Sequence, residues 1–337
     1  MFRKTGFLVL VFLVARQTIF AQSTPYIDIT TNHVSLVLKQ EKHHLQQVYL
    51  GEKLQSKDDY ASLPDKADLP AYSTYGTDNL FTPAIRVTHA DGNRSLDLQY
   101  VSSSVKKTVS DVTLTTIQLK DPAYPFEVTL YSKAFVKEDV IETWTTIRHQ
   151  EAAPVTLYDA ASANLYMNAK SYWLTQFHGD WGKEMEMQHS KLTAGIKVID
   201  SKLGSRADKY NSPCFFLSPD HPSGENAGKV LAGTLAWTGN FRFSFEIDNG
   251  NKLHIISGIN PFASEFHLKP DTTFTTPAFI FTYSDQGKGQ ATRNIDRWAR
   301  RDGLLDGDKP RLTLLNNWET TYFDFNEDKL LHLFDQA

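Results

Sequence analysis

The chain predicts a mainly β architecture: two large antiparallel sheets packed face to face as a sandwich, then a linking helix, then the first βα unit of an incomplete (β/α)8 barrel. Three observations carry that expectation. Period-2 alternation of β-branched and aromatic residues recurs from about Ile27 to Tyr283. A helical pattern follows, with Ala291, Ile295, Trp298 and Ala299 on one face. Finally, the apolar run Leu312 to Leu315 stops abruptly in Asn316-Asn317-Trp318-Glu319. A buried parallel strand that delivers polar groups to the carboxyl end of a barrel has this form.

The first residues read as a targeting segment. Arg3 and Lys4 precede an apolar stretch from Gly6 to Ala15, and Ile19-Phe20-Ala21 before Gln22 fits a cleavage site. That stretch is too short to span a bilayer core of about 30 Å as a helix. No cysteine follows it to carry a lipid. Residues 1–21 are therefore expected to be a signal peptide, and the protein to be exported to the periplasm or secreted, with no membrane contact after cleavage.

The sandwich is assigned to residues 22–284. Strand patterns are clearest in Ile85-Arg86-Val87-Thr88, Val112 to Thr115, Val128 to Tyr131, Ile141 to Ile147 and Phe241 to Ile247. Asp91-Gly92-Asn93 and Asp248-Asn249-Gly250-Asn251 carry hairpin chemistry, since Gly and Asn accept positive φ. Asp121-Pro122 and Lys269-Pro270-Asp271 are further breaks. Tyr49 to Thr77, rich in Lys, Asp and Pro, reads as an irregular excursion, and long loops of this kind are usually functional or mobile. No helix is expected before Gly287.

Residues 285–309 form the linker, with Gly303 suited to the helix end and Asp306 to Pro310 to a turn. Residues 310–337 begin the barrel. Asp324 or Asn326 can cap its first helix, Glu327 and Asp328 load the first turn, and Leu330, Leu331 and Phe334 supply an apolar face. A full barrel needs roughly 250 residues, so the sequence reads as the front part of a larger enzyme.

Composition narrows the chemistry. Net charge is −4 with 22% charged residues, and the cations are scattered, so nothing points to nucleic acid or an anionic membrane. The one cysteine, Cys214, lies in the apolar run Pro213 to Leu217, as expected of a buried, inert thiol. The 11 histidines show no metal-ligand spacing, and adjacent His43 and His44 would point to opposite faces of a strand. There is no phosphate loop and no G-x-S-x-G elbow. No metal or organic cofactor is expected.

The stretch from Leu314 to Glu327, Leu-Leu-Asn-Asn-Trp-Glu-Thr-Thr-Tyr-Phe-Asp-Phe-Asn-Glu, resembles the opening of the catalytic barrel in α-galactosidases of glycoside hydrolase family 36. Tyr75 to Asp78, Gly179 to Trp181, Asn211 to Pro213, Trp237 to Phe241, Gly258 to Phe262 and Thr282 to Asp285 resemble further family motifs, in the family's order. The resemblance implies a β-supersandwich before the barrel, and a retaining enzyme that releases terminal α-linked galactose from raffinose, melibiose and related oligosaccharides. Retaining hydrolysis needs two carboxyl groups about 5–5.5 Å apart. The resemblance places both, as Asp residues, on later barrel strands, so no catalytic residue is assigned within this chain. It also implies a homo-tetramer in which one subunit's loop reaches a neighbour's active site.

Three substrate-binding candidates follow. Trp318 stands at the end of the expected barrel strand, where an indole can stack on the flat C–H face of a sugar; a packing role between barrel and sandwich is the plainer alternative. Trp181, in the glycine-flanked loop His178 to Gly182, is a second platform or else a loop anchor. Asp78 ends the long excursion, where an acidic side chain suits sugar hydroxyls, although a turn-forming role is equally open. Asn79-Leu80-Phe81 follows it where many relatives have Phe or Tyr and then a basic residue. Glu319 reads better as a loop holder than as a catalytic acid. The competing class is a non-catalytic β-sandwich carbohydrate-binding protein. The Asn-Asn-Trp-Glu block and the capped helix after it discriminate against that class.

Overall fold

Alternation sorts the strands into faces. In Val140–His149 every second residue from Ile141 to His149 is buried, while Glu142, Trp144, Thr146 and Arg148 are more exposed. The computed structural model describes residues 26–64, 68–109 and 111–337, so the expected signal peptide lies outside the described residues.

Ten strands form the larger sheet, every neighbouring pair antiparallel. Its order from one edge is Gln99–Val109, Val112–Lys120, Phe126–Phe135, Val140–His149, Phe279–Ser284, Val230–Leu235, Asn211–Pro219, Tyr172–His178 and Glu186–Lys191, with Thr273–Thr275 also pairing Val140–His149. The second sheet has six strands: Gly195–Asp200, Phe241–Ile247, Lys252–Ile259, Val155–Asn168 and Phe266–Leu268, with Ile85–Thr88 beside Val155–Asn168. A third sheet of three strands, Tyr26–Thr30, Val34–Glu41 and His44–Glu52, adds to this pair. Gln47 ties it to the second sheet: its side-chain amide donates to Tyr166 O at 2.7 Å and accepts from Tyr166 N at 3.0 Å. It thereby does for that edge what another strand's peptide group would do.

The core between the sheets is aromatic. Phe215 packs edge-on to Phe243 at 5.2 Å and to Phe245 at 4.9 Å, and lies stacked near Phe279 at 6.2 Å. Gly233 makes this packing possible, since a Cβ there would come within 2.7 Å of Phe215 Cζ and 2.6 Å of Phe279 Cζ.

The linking helix spans Gly287–Trp298 and continues as a π-turn, Ala299–Gly303. Ala291 is buried against Val230 and Ala232, with Ile295 packed beside them. Trp298 leans edge-on to Phe135 at 6.3 Å. Arg301 then clamps the turn onto two strand connections, through Asp111 and Glu138.

Several local expectations change. Asp91 to Asn93 does turn the chain, with Gly92 at φ +90°, but Ile85–Thr88 pairs Val155–Asn168 and Gln99–Val109 pairs Val112–Lys120, so it joins no hairpin. Turn chemistry fixes a reversal and cannot say which strands pair across it. Asp248 to Asn251 is a true hairpin turn, and Asn251 rather than Gly250 takes the positive φ, at +62°. The excursion is not wholly irregular: Tyr49–Glu52 stays in a strand, and a helical turn spans Lys57–Ala61. Ser56 and Asp59 cap that turn reciprocally, a signature overlooked among the charges.

Leu312 to Leu315 form no strand. The run has no regular structure and no strand partner among the described residues, with Leu312 96% and Leu314 88% exposed. An apolar strand of this type depends on parallel neighbours on both sides, and none of the described strands pairs with it. The helix after it forms as expected over Glu327–Gln336, and of the two candidate caps Asn326 is used, accepting from Lys329 N at 3.0 Å.

Candidate functional site

Asp78 sits on a loop that leaves the sheets at Pro70 and rejoins them near Ile85, where Thr74 makes a parallel bridge. Its turn requires Gly76: φ is +88°, and a Cβ would lie 2.7 Å from Ser95 Cβ. Leu96 N donates to Tyr75 O at 3.1 Å and secures the upstream limb. Downstream, Asn79 folds over Phe81, donating to its carbonyl at 2.7 Å, and Thr82 N donates to Glu246 Oε2 at 2.8 Å.

This loop walls an open cleft of about 790 Å³. Asp68, Asp78, Asp97 and Asp248 line it together with Thr74, Thr77 and the faces of Leu80 and Phe81. Burial works against the charge on Asp97, but hydrogen bonds from Gln99 and His44 outweigh it and hold the carboxyl below its ordinary range. His44 Nε2 lies 2.7 Å from Asp97 Oδ1, and His43 falls in the turn before that strand, so the two histidines serve different ends. Hydroxyl and carboxylate acceptors beside apolar faces suit recognition of a polyhydroxylated ligand.

Trp181 is elsewhere, in the connection between the paired strands Tyr172–His178 and Glu186–Lys191. Asp180 and Lys183 exchange backbone hydrogen bonds at 3.2 and 3.0 Å, and the indole stands 87% exposed. Trp318 opens the single turn Trp318–Thr321, with its backbone N–H donating to Asn316 Oδ1 at 2.9 Å. It is 42% exposed, edge-on to Tyr322 and to Phe323 at 5.5 and 4.8 Å. Glu319 is exposed beside it. Of the three candidates only Asp78 lines the cleft, so they do not meet in one pocket here.

Sequence reading missed a convergence of motif blocks at one end of the sandwich. Gly179 N donates to Tyr210 O, Asn211 Nδ2 to Asp200 O, Asn260 Nδ2 to Ser201 O, and Asn260 N to Asn240 O, all within 3.1 Å. Trp181, Tyr210, Trp237 and Phe262 are left exposed there. The available signal was the recurrence of Asn in loops, because an amide can satisfy two backbones at once. Cys214 is half-buried, and burial pushes its thiol up to about 11, which leaves it little thiolate character.

Residues 43–269 match the glycosyl hydrolase family 36 N-terminal domain, and residues 273–337 match melibiase. The chain belongs to glycoside hydrolase family 36. This family 36 chain is 29% identical over 284 residues to α-galactosidase Mel36A of Lactobacillus acidophilus, a match that covers 79% of the chain and 38% of the relative. It is 27% identical over 283 residues to α-galactosidase AgaA of Geobacillus stearothermophilus, with the same coverage. The chain thus spans 38% of the length of these relatives. AgaA variants solved with stachyose and with raffinose superpose with a TM-score of 0.82 at 25% identity, covering 91% of this chain and 48% of theirs.

Proposed function

We propose that this chain is the sandwich portion of an exported, retaining α-galactosidase that releases terminal α-linked galactose from oligosaccharides such as raffinose and melibiose. One observation carries the reading: the match to the family's N-terminal domain runs directly into the melibiase match. The chain then supplies scaffold, assembly surface and part of the wall of a sugar pocket. Galactosides bound to AgaA support the substrate class.

In this reading Trp318 stacks on the sugar, and Trp181 offers a second apolar platform. Asp78 accepts hydrogen bonds from sugar hydroxyls, in a neighbouring subunit's site of a homo-tetramer. The two carboxyl groups of the double displacement come from the barrel, and the reaction needs no cofactor.

The test is to express the complete reading frame and follow raffinose and melibiose by proton NMR. Galactose released first as the α-anomer agrees with the proposal. The β-anomer, or no release at all, counts against it. Periplasmic or extracellular recovery of a product beginning at Gln22 checks the export.

A further inference from the structure

Asn164, in the strand Val155–Asn168, divides its hydrogen bonds between the upstream limb of the Asp78 loop and His254 on the neighbouring strand Lys252–Ile259. Its Nδ2 donates to Pro70 O at 2.9 Å and to Ala71 O at 3.2 Å. Its Oδ1 accepts from Ser73 Oγ at 2.9 Å and lies 2.8 Å from His254 Nε2. Because two carbonyls can only accept, the amide has one possible orientation. His254 Nε2 must therefore carry its proton, and Nδ1 is left as a buried lone pair with no partner among the described residues. The ring stacks on Tyr166 at 4.4 Å, and Phe81 leans on both rings, 5.2 Å from His254 and 5.7 Å from Tyr166.

We propose that Asn164 and His254 are positioning residues for Asp78, holding both limbs of its loop through one neutral hydrogen-bonded pair and the Phe81 ring it supports. The proposal rests on the reading of Asp78 as a sugar contact. Upstream, Pro70, Ala71 and Ser73 bond directly to Asn164. Downstream, the contact passes through His254 to Phe81, three residues beyond Asp78. The loop between the limbs has its exposed tip at Leu80; Leu96 N to Tyr75 O and Thr82 N to Glu246 Oε2 tie its outer parts, and Asn79, next to Asp78, is bonded to Phe81 itself, so the placement of the carboxylate follows the placement of Phe81.

Phe81→Ala tests this at a partly buried position, leaving Asn164 and His254 in place, and His254→Phe keeps a ring for stacking while removing the donor. In the 337-residue chain, amide hydrogen exchange over residues 74–82 should speed up about tenfold or more in both variants. Exchange in Phe241–Ile247 should stay unchanged. If His254→Phe does not fold, Phe81→Ala decides. Unchanged exchange at 74–82 in folded Phe81→Ala overturns the proposal.

In the complete enzyme, Phe81→Ala should raise KM for raffinose at least about threefold while kcat is kept, and Phe81→Tyr should restore it. If Asp78→Ala raises KM but Phe81→Ala does not, the positioning role fails and the sugar contact stands. If Asp78→Ala leaves KM unchanged, the sugar contact fails, and the proposed role toward substrate fails with it, whatever the exchange shows.

Discussion

Arg301 grips Asp111 with both arms of its guanidinium, each nitrogen 2.7 Å from one carboxylate oxygen. Glu138 Oε2 accepts from the same group at 2.8 Å. The π-turn is thereby fixed to the connections before Val112–Lys120 and after Phe126–Phe135, elements far apart in sequence. Partners of this geometry are stronger than most surface pairs, because a planar fork meets a planar acceptor.

Arg301→Ala should lower unfolding free energy by about 1–2 kcal/mol, a discounted figure because the guanidinium is partly exposed. Arg301→Lys should recover only part of this, since an ammonium keeps the charge and loses the fork. Urea unfolding at low and high salt checks both, and the difference should shrink as salt rises. An Ala variant as stable as the parent would show that the clamp contributes nothing.

A protein made of residues 22–337 should not hydrolyse a chromogenic α-galactoside above background. Retention needs a nucleophile and an acid/base at about 5–5.5 Å, and the family reading places both on the barrel. Turnover that survives a control for contaminating enzyme would refute this.

Removing residues 309–337 should raise the soluble, monomeric fraction in size-exclusion chromatography. That segment exposes Leu312, Leu314, Phe323, Leu331 and Phe334, apolar surface that favours association. No gain on deletion would mean that these side chains find cover in solution.

Trp318→Ala in the complete enzyme should cut catalytic efficiency at least about tenfold, from lost stacking of roughly 0.5–1.5 kcal/mol plus lost buried area. Its half-exposed indole predicts a smaller stability loss than the roughly 3–5 kcal/mol of a core Trp. A melting temperature that collapses while folded enzyme keeps its efficiency would make Trp318 structural.

Acid should destabilise the sandwich through His254, whose burial pushes it from 6.5 down to about 3. Below pH 6.5 the unfolded chain takes up a proton that the folded ring refuses. Stability is therefore complete above pH 6.5 and falls as pH drops toward 3, by up to about 1.4 kcal/mol per pH unit from this group. His254→Phe should flatten that slope in urea titrations between pH 6.5 and 4. An unchanged slope would assign the acid sensitivity to other groups.

Much of the sandwich was legible because strand faces write themselves into alternation. Ile85–Thr88 and Phe241–Ile247 have the limits their patterns indicate. Gln99–Val109 was harder to read, since nearly all of it is exposed and no face needs apolar residues. Leu312 to Leu315 show the opposite failure: the pattern of a buried strand persists where pairing is absent, because pattern records what a segment is suited to meet. The candidates Asp78, Trp181 and Trp318 could be read from the sequence only as isolated residues, and their spacing in three dimensions was not legible. Asn164 and His254 gave no signal at all. They lie 90 positions apart, and their bond exists only because Val155–Asn168 pairs Lys252–Ile259.

The solitary, half-buried Cys214 gives the protein an internal chronometer. With its thiol held near 11 in the fold, the thiolate at pH 8 is roughly a hundredfold scarcer than in an open chain. Alkylating reagents will thus count opening events at the strand Asn211–Pro219, one label per molecule, with no second thiol to blur the count. Labelling rates under native conditions can rank every substitution above by its effect on opening, without denaturant and without an activity to measure.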